Sequence, residues 1–118
     1  MREFDTGATR DSEEGKLDFE GFLSPLALDA YARYMHGHRK QADGALRDSD
    51  NWQKGMPFSS YMKSLWRHLF VAWRMHRALG AWSEETRVIM IEALCGILFN
   101  TFGYLHEFLL EREEERLD

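Results

Sequence analysis

The sequence predicts an all-α fold, a small bundle of about three main helices. No segment sustains the period-two alternation of a half-buried strand. Three segments carry apolar residues at helical spacing with recognisable start or stop residues, and 118 residues at 44% hydrophobic content suit one domain with a modest core. We therefore expect a single helical domain over 1–118 that is oligomeric, with an irregular N-terminal segment at 1–23, a long loop at 38–57 and a charged helical tail at 111–118.

The first helix begins at Ser24-Pro25, where serine caps and proline suits the first helical position, and runs to about Gly37. Leu28, Tyr31, Ala32 and Met35 share one face, and Asp29 and Arg33 form an opposite-charge pair four residues apart. The second helix starts near Ser59 or Ser60 and stops at Gly80. Tyr61, Leu65, Trp66, Leu69, Phe70, Trp73 and Met75 wrap more than one of its sides, so it needs cover on most sides. In a chain this small a partner subunit supplies that cover, which predicts a homo-oligomer, dimer or tetramer, built through the apolar helix at 59–79. The third helix opens at Ser83, with Glu84 and Glu85 placed well against the helix dipole, and runs to about Arg112 with the tail continuing it. The irregular stretches exceed the usual loop length but carry apolar anchors such as Phe19, Phe22, Trp52 and Met56, so they are expected to pack on the bundle and to form a working site.

The charge and cysteine usage narrow the function classes. A formal net charge of -5 argues against a general nucleic-acid binder, which carries a basic excess to neutralise phosphates. The single cysteine, Cys95, lies in an apolar stretch and gives neither a disulfide framework nor a cysteine-rich metal site. The N-terminus lacks an apolar signal core, and Arg, His and Asn interrupt the longest apolar stretches, so the expectation is a cytoplasmic protein with no membrane association.

Several residue patterns point to chemistry. Glu92, Gly96, Asn100, Gly103 and Glu107 lie at steps of four, four, three and four along the last helix, and so form one stripe. It reads either as a metal or substrate wall or as a surface packed tightly on a neighbour, the glycines admitting close approach in both cases. Lys63, Arg67 and Arg74 fall on one side of the second helix, and Arg67-His68 interrupts its most apolar part, where a buried arginine needs a ligand or a carboxylate. Lys16, Asp18 and Glu20 alternate with apolar residues and in an extended segment point the same way, as a phosphate and divalent-metal site or as a surface ion-pair ladder. Asp48-Ser49-Asp50 does not open an EF-hand loop, because Trp52 stands at the fifth position and Ser59 at the twelfth. His106-Glu107 lacks the second histidine of a zinc H-E-x-x-H motif, and His36 and His38 read as solvated.

In order, GKLDFEGFLSPLALDAYARYM, DNWQKGMP, YMKSLWRHLFVAW and EALCGILFNTFGYLHE resemble a phage-associated family of dATP/dGTP diphosphohydrolases. The resemblance spans most of residues 15–110, and such proteins look like relatives of MazG-type all-α nucleoside triphosphate pyrophosphohydrolases. It implies a Mg²⁺-dependent enzyme, with Mn²⁺ as a substitute, that cleaves a purine deoxynucleoside triphosphate to the monophosphate and pyrophosphate in host-cell cytoplasm. Residue by residue it points to Lys16, Asn51, Trp52, Gly55, Arg67 and His68. The sequence departs from the MazG-type signature E-E-x-x-E followed by E-x-x-D, since Val88 follows Glu84-Glu85 and Cys95 follows Glu92.

Together these readings give an expected site. Glu92 and Asp18 are the catalytic carboxylates, and Asp18, Glu20, Glu92 and Glu107 surround the metal. Lys16, Lys54 and Arg67 with His68 bind phosphates, Trp52 walls the base, and Asn51 or Asn100 reads its edge. The alternative is a binding protein that sequesters a nucleotide without hydrolysis, and a third reading is an interaction protein that uses the apolar second helix.

Overall fold

The computed structural model describes all residues except Met1, Glu13, Leu79 and Asp118, with side chains described as far as Arg112. Four helices lie among them: α1 (Phe19–Phe22), α2 (Pro25–Gly37), α3 (Phe58–Ala78) and α4 (Glu84–Leu117). The fold is mainly helical with one small antiparallel ribbon, β1 (Arg2–Glu3) with β2 (Thr9–Arg10).

Local sequence explains each boundary. The Ser24 side chain accepts the Ala27 N–H at 3.2 Å to cap α2, and Pro25 occupies the first turn. At the other end the His38 ring packs on Tyr34, 4.2 Å between centroids, with Nδ1 2.8 Å from the Tyr34 carbonyl oxygen. Ser83 and Thr86 cap α4 reciprocally: the Thr86 N–H donates to Ser83 Oγ, and the Ser83 N–H to Thr86 Oγ1. The Asp29–Arg33 pair forms at 2.8 Å, but both side chains are exposed and screened by solvent, so it adds little.

α3 and α4 run antiparallel and make most of the tertiary structure. Tyr61 meets Gly103, Ser64 meets Asn100 and His68 meets Gly96, each step forward on α3 matched by one backward on α4. A Cβ on Gly96 would stand 2.5–2.6 Å from three His68 ring atoms, and one on Gly103 would strike the Tyr61 ring. The glycine stripe therefore lets the two helices close on each other. α2 leans on the next side of α4, where Tyr31 meets Phe102 edge to face at 5.8 Å.

The chain alone encloses little. Among the described residues Tyr61, Ala72, Ala93 and Cys95 are the buried hydrophobic ones, with Asn100 the buried polar one. Its radius of gyration is 19.5 Å, against about 13.5 Å for a compact domain of this length.

Three expectations change. Residues 1–23 are not irregular throughout: they hold the ribbon, turned through Gly7 at φ 86°, and α1. Asp18 and Glu20 do not sit in an extended ladder, because Asp18 Oδ1 accepts the Gly21 N–H at 2.9 Å as the cap of α1, and Glu20 lies in that helix. The loop at 38–57 carries a small hairpin and a 3-10 turn (Asn51–Lys54). Within Glu84–Arg112 an 18-residue window reaches a mean hydropathy of 1.7, enough by length and composition alone for a membrane span, a test that the core helix of a soluble protein also passes.

Candidate functional site

The hairpin in the loop gathers charge. Arg47 N–H donates to the Arg39 carbonyl at 2.8 Å, Lys40 bridges to Leu46, and Gln41 N–H donates to the Ala45 carbonyl at 2.8 Å. Asp43-Gly44 forms the tip: Gly44 takes φ 87°, a left-handed conformation that suits glycine, and Asp43 Oδ1 accepts the Ala45 N–H. Arg39 Nε donates to the Arg47 carbonyl at 2.7 Å, which ties the two arginines together. The chain then enters the 3-10 turn, which presents Asn51, Trp52 and Lys54 and ends at Gly55 with φ 84°.

These elements and the facing sides of α2 and α4 bound one cleft with two compartments. An apolar chamber of about 540 Å³ lies between Tyr31, Met35, Phe99, Phe102, Leu105 and Leu109. A mouth of about 360 Å³ adjoins it, lined by His38, Arg39, Arg47, Asp48, Asn51 and Lys54. Met35, Ser49, Trp52 and Phe99 belong to both walls. Trp52 is half-buried at the divide, its ring 4.9 Å from that of His106 at 73°, so α4 holds the indole in place. Both volumes fall in the range of small-ligand pockets. Three cations at one end and aromatic surface at the other match an anion joined to a flat apolar group.

The residues expected from sequence divide between this cleft and other places. Asn51, Trp52 and Lys54 line it. Asn100 does not reach it: this buried amide donates to the Gly96 carbonyl at 2.7 Å and to Ser64 Oγ at 3.1 Å, locking α4 to α3. Glu92 stands in a separate depression of about 270 Å³ with Tyr34, His38 and His68. Glu107 lies against the loop, where a Cβ on Gly55 would be 2.6 Å from its Oε1. Arg67 is exposed, so the expectation of a buried guanidinium seeking a partner is corrected. Lys16, Asp18 and Glu20 are exposed on and before α1 and line none of these cavities.

Electrostatics follow the burial. Desolvation holds the His68 pKa below its usual value, Arg67 and His38 push it the same way, and Glu92 opposes them. Burial raises Tyr31 and Tyr34, with Glu92 adding to the rise at Tyr34. Tyr61 is also raised, by burial first and then by Glu107, and its hydroxyl has no hydrogen-bond partner.

The carboxylates named for a metal are not gathered. Among the described residues no group of three or more His, Cys, Asp or Glu side chains could hold a metal ion. Glu92 and Glu107 stand about 22 Å apart along the axis of α4, too far to share one ion within a single chain. Sequence reasoning missed Arg39 and Arg47, although the Asp-Gly pair at 43–44 is a hairpin signal that would have brought them together. No family model, curated protein or solved structure matches the chain.

Proposed function

We propose that the cleft binds a purine deoxynucleoside triphosphate, with the base in the apolar chamber against Trp52 and the phosphates among Arg39, Arg47 and Lys54, and that the protein acts on it as a pyrophosphohydrolase. The observation that carries the reading is the adjacency of the cationic mouth and the aromatic chamber across one tryptophan. Arginine suits phosphate oxygens because its planar donors engage two at once, and Lys54 adds a mobile point charge. The resemblance to dATP/dGTP diphosphohydrolases supports the base class and the bond cleaved. Oligomerisation through the apolar side of α3 is part of the same reading, since Trp66, Phe70 and Trp73 are all more than half exposed in the single chain.

The separation of Glu92, Glu107, Asp18 and Glu20 favours a second reading, in which the cleft sequesters the nucleotide without hydrolysing it. Phosphate release with added pyrophosphatase, measured across the four dNTPs with Mg²⁺ or Mn²⁺, decides between them. Turnover of dATP or dGTP establishes the enzyme. Calorimetric binding without turnover establishes the sequestering protein, and folded protein that neither binds nor turns over any nucleotide refutes both.

A further inference from the structure

α4 has a third face. α3 covers the side that carries Gly96, Asn100 and Gly103, and α2 leans on the side that carries Phe99 and Phe102. Leu94, Leu98, Thr101, Leu105 and Phe108 follow one another at steps of four, three, four and three, and the midline of that stripe lies more than about 100° around the helix from the midline of either covered side, with Leu105 at the border of the α2 side and Thr101 and Phe108 at the border of the α3 side. That is heptad spacing, the pattern of a helix that packs along another helix. Leu94, Leu105 and Phe108 are 46%, 49% and 54% exposed in the isolated chain. The polar member is already satisfied: Thr101 Oγ1 donates to the Ile97 carbonyl at 2.7 Å, so covering it strands no hydroxyl. Arg87 and Arg112 bound the stripe at its two ends.

The surface area says how much cover is missing. A folded monomer of 13.9 kDa exposes about 6,700 Å². This chain exposes 10150 Å². The excess of about 3,500 Å² is several times the roughly 800 Å² that each partner contributes to an ordinary stable interface.

We propose that the Leu94–Phe108 face of α4 is the interface with a second copy of this chain, packed antiparallel about Thr101, and that the second copy closes the open side of the apolar chamber. Antiparallel packing keeps apart the acidic sequence runs at 111–115, which a parallel pair would lay side by side. The heptad register favours a helix over a lipid surface as the occupant, and the polar belt of His106 and Glu107 on the same helix disfavours immersion in hydrocarbon. Leu105 belongs to the stripe and to the chamber wall at once, and Leu109 beside it also lines the chamber. The helix that covers the stripe therefore also walls the cleft. This closure rests on the reading of the cleft as a nucleotide site, whereas the interface stands independently of it.

Light scattering and cysteine cross-linking test the interface, using Leu94→Glu and Thr101→Cys in the full chain. The parent should run as a dimer or a multiple of two. Leu94→Glu, which lies outside the cleft, should halve the assembly mass. Thr101→Cys should give a disulfide-linked dimer on oxidation, because its own symmetry mate faces it, while Leu94→Cys alone should not. A monomeric parent at tens of micromolar, or a Thr101→Cys chain that stays uncrosslinked, overturns the interface. A monomer that floats with vesicles of phosphatidylcholine and phosphatidylglycerol overturns it in favour of a bilayer. Calorimetry with dATP in EDTA tests the closure: Leu94→Glu should bind at least tenfold more weakly than the parent, and equal affinity overturns closure. If the parent binds no dATP while Thr101→Cys crosslinks, the nucleotide reading fails and the interface survives.

Discussion

Replacing Gly103 by alanine sets two effects of opposite sign against each other. Alanine in a helix interior is favoured over glycine by about 0.8–1 kcal/mol, so propensity alone makes Gly103→Ala stabilising. Packing says otherwise. The new Cβ would strike the Tyr61 ring, 2.7 Å from Cζ and 3.0 Å from the hydroxyl oxygen, with a ring Cε atom nearer still. Tyr61 is 1% exposed and cannot step aside into solvent, so α3 and α4 must separate or Tyr61 must leave its rotamer. Overpacking of this kind costs about 1–3 kcal/mol, and two ring atoms and the hydroxyl oxygen at or within 3 Å place it near the top of that range. The net expectation is a loss of about 2 kcal/mol. Urea unfolding followed by far-UV circular dichroism, at one fixed protein concentration, measures it.

The control lies in the same pair. With Tyr61→Ala as background the obstruction is gone, and adding Gly103→Ala should then stabilise by up to about 1 kcal/mol. The coupling between the two positions is therefore about 3 kcal/mol, the difference between the two effects of the same substitution. If Gly103→Ala stabilises the parent instead, the helices do not close at Tyr61 and the packing account is wrong.

Tyr61→Phe removes a buried hydroxyl that has no partner and should raise stability by about 1 kcal/mol in the same unfolding assay; a loss of that size would mean that the hydroxyl is bonded after all. Trp52→Ala should weaken dATP binding by about 1–3 kcal/mol, roughly 5- to 150-fold by calorimetry, while unfolding stays cooperative; unchanged affinity makes the indole an anchor for the loop and nothing more. His68 gives a pH signature. Its pKa is lowered in the folded state, so below about 6.5 the unfolded chain takes the proton more readily, and the contribution to stability present above that pH is lost as pH falls towards the folded value. His68→Asn should flatten the stability profile between pH 7.5 and 5 relative to the parent, and parallel profiles would show that His68 is not desolvated.

The legible parts of the fold were those written in short-range chemistry. Ser24-Pro25 fixed the start of α2, and Ser83 the start of α4, because a cap needs only neighbours three residues away. The Gly96–Asn100–Gly103 stripe was visible because helical spacing aligns it whatever it meets. What it meets was not visible: Asn100 serves the α3–α4 contact through Ser64, 36 positions away. Arg39 and Arg47 were missed because a hairpin pairs them across eight residues, and the loop reading gave no weight to Asp43-Gly44. Asp18 misled because a carboxylate beside an apolar residue serves a helix cap as readily as a metal. Trp52 and Lys54 reach the cleft because the turn that carries them is short and anchored at both ends, by Trp52 on His106 and by Gly55 against Glu107.

If the chain pairs as proposed, its sparse core makes stability and assembly one equilibrium. Tyr61, Ala72, Ala93 and Cys95 are too few to hold helices of 21 and 34 residues together against the entropy of ordering them, and the apolar stripes of α3 and α4 that would add to the core face outward. If those stripes are buried only between copies, unfolding releases two chains from each dimer and the folded state gains from mass action. Each tenfold rise in concentration then adds about 1.4 kcal/mol per dimer. With an unfolding entropy of about 0.5 kcal/mol/K for two chains of this length, the thermal midpoint should climb by about 3 °C per decade of concentration. Scanning calorimetry from about 5 to 500 micromolar covers two decades, so a shift near 6 °C is expected. A midpoint independent of concentration would require the single chain to be stable with its leucines and tryptophans in water, and would remove the reason for a second copy on α4.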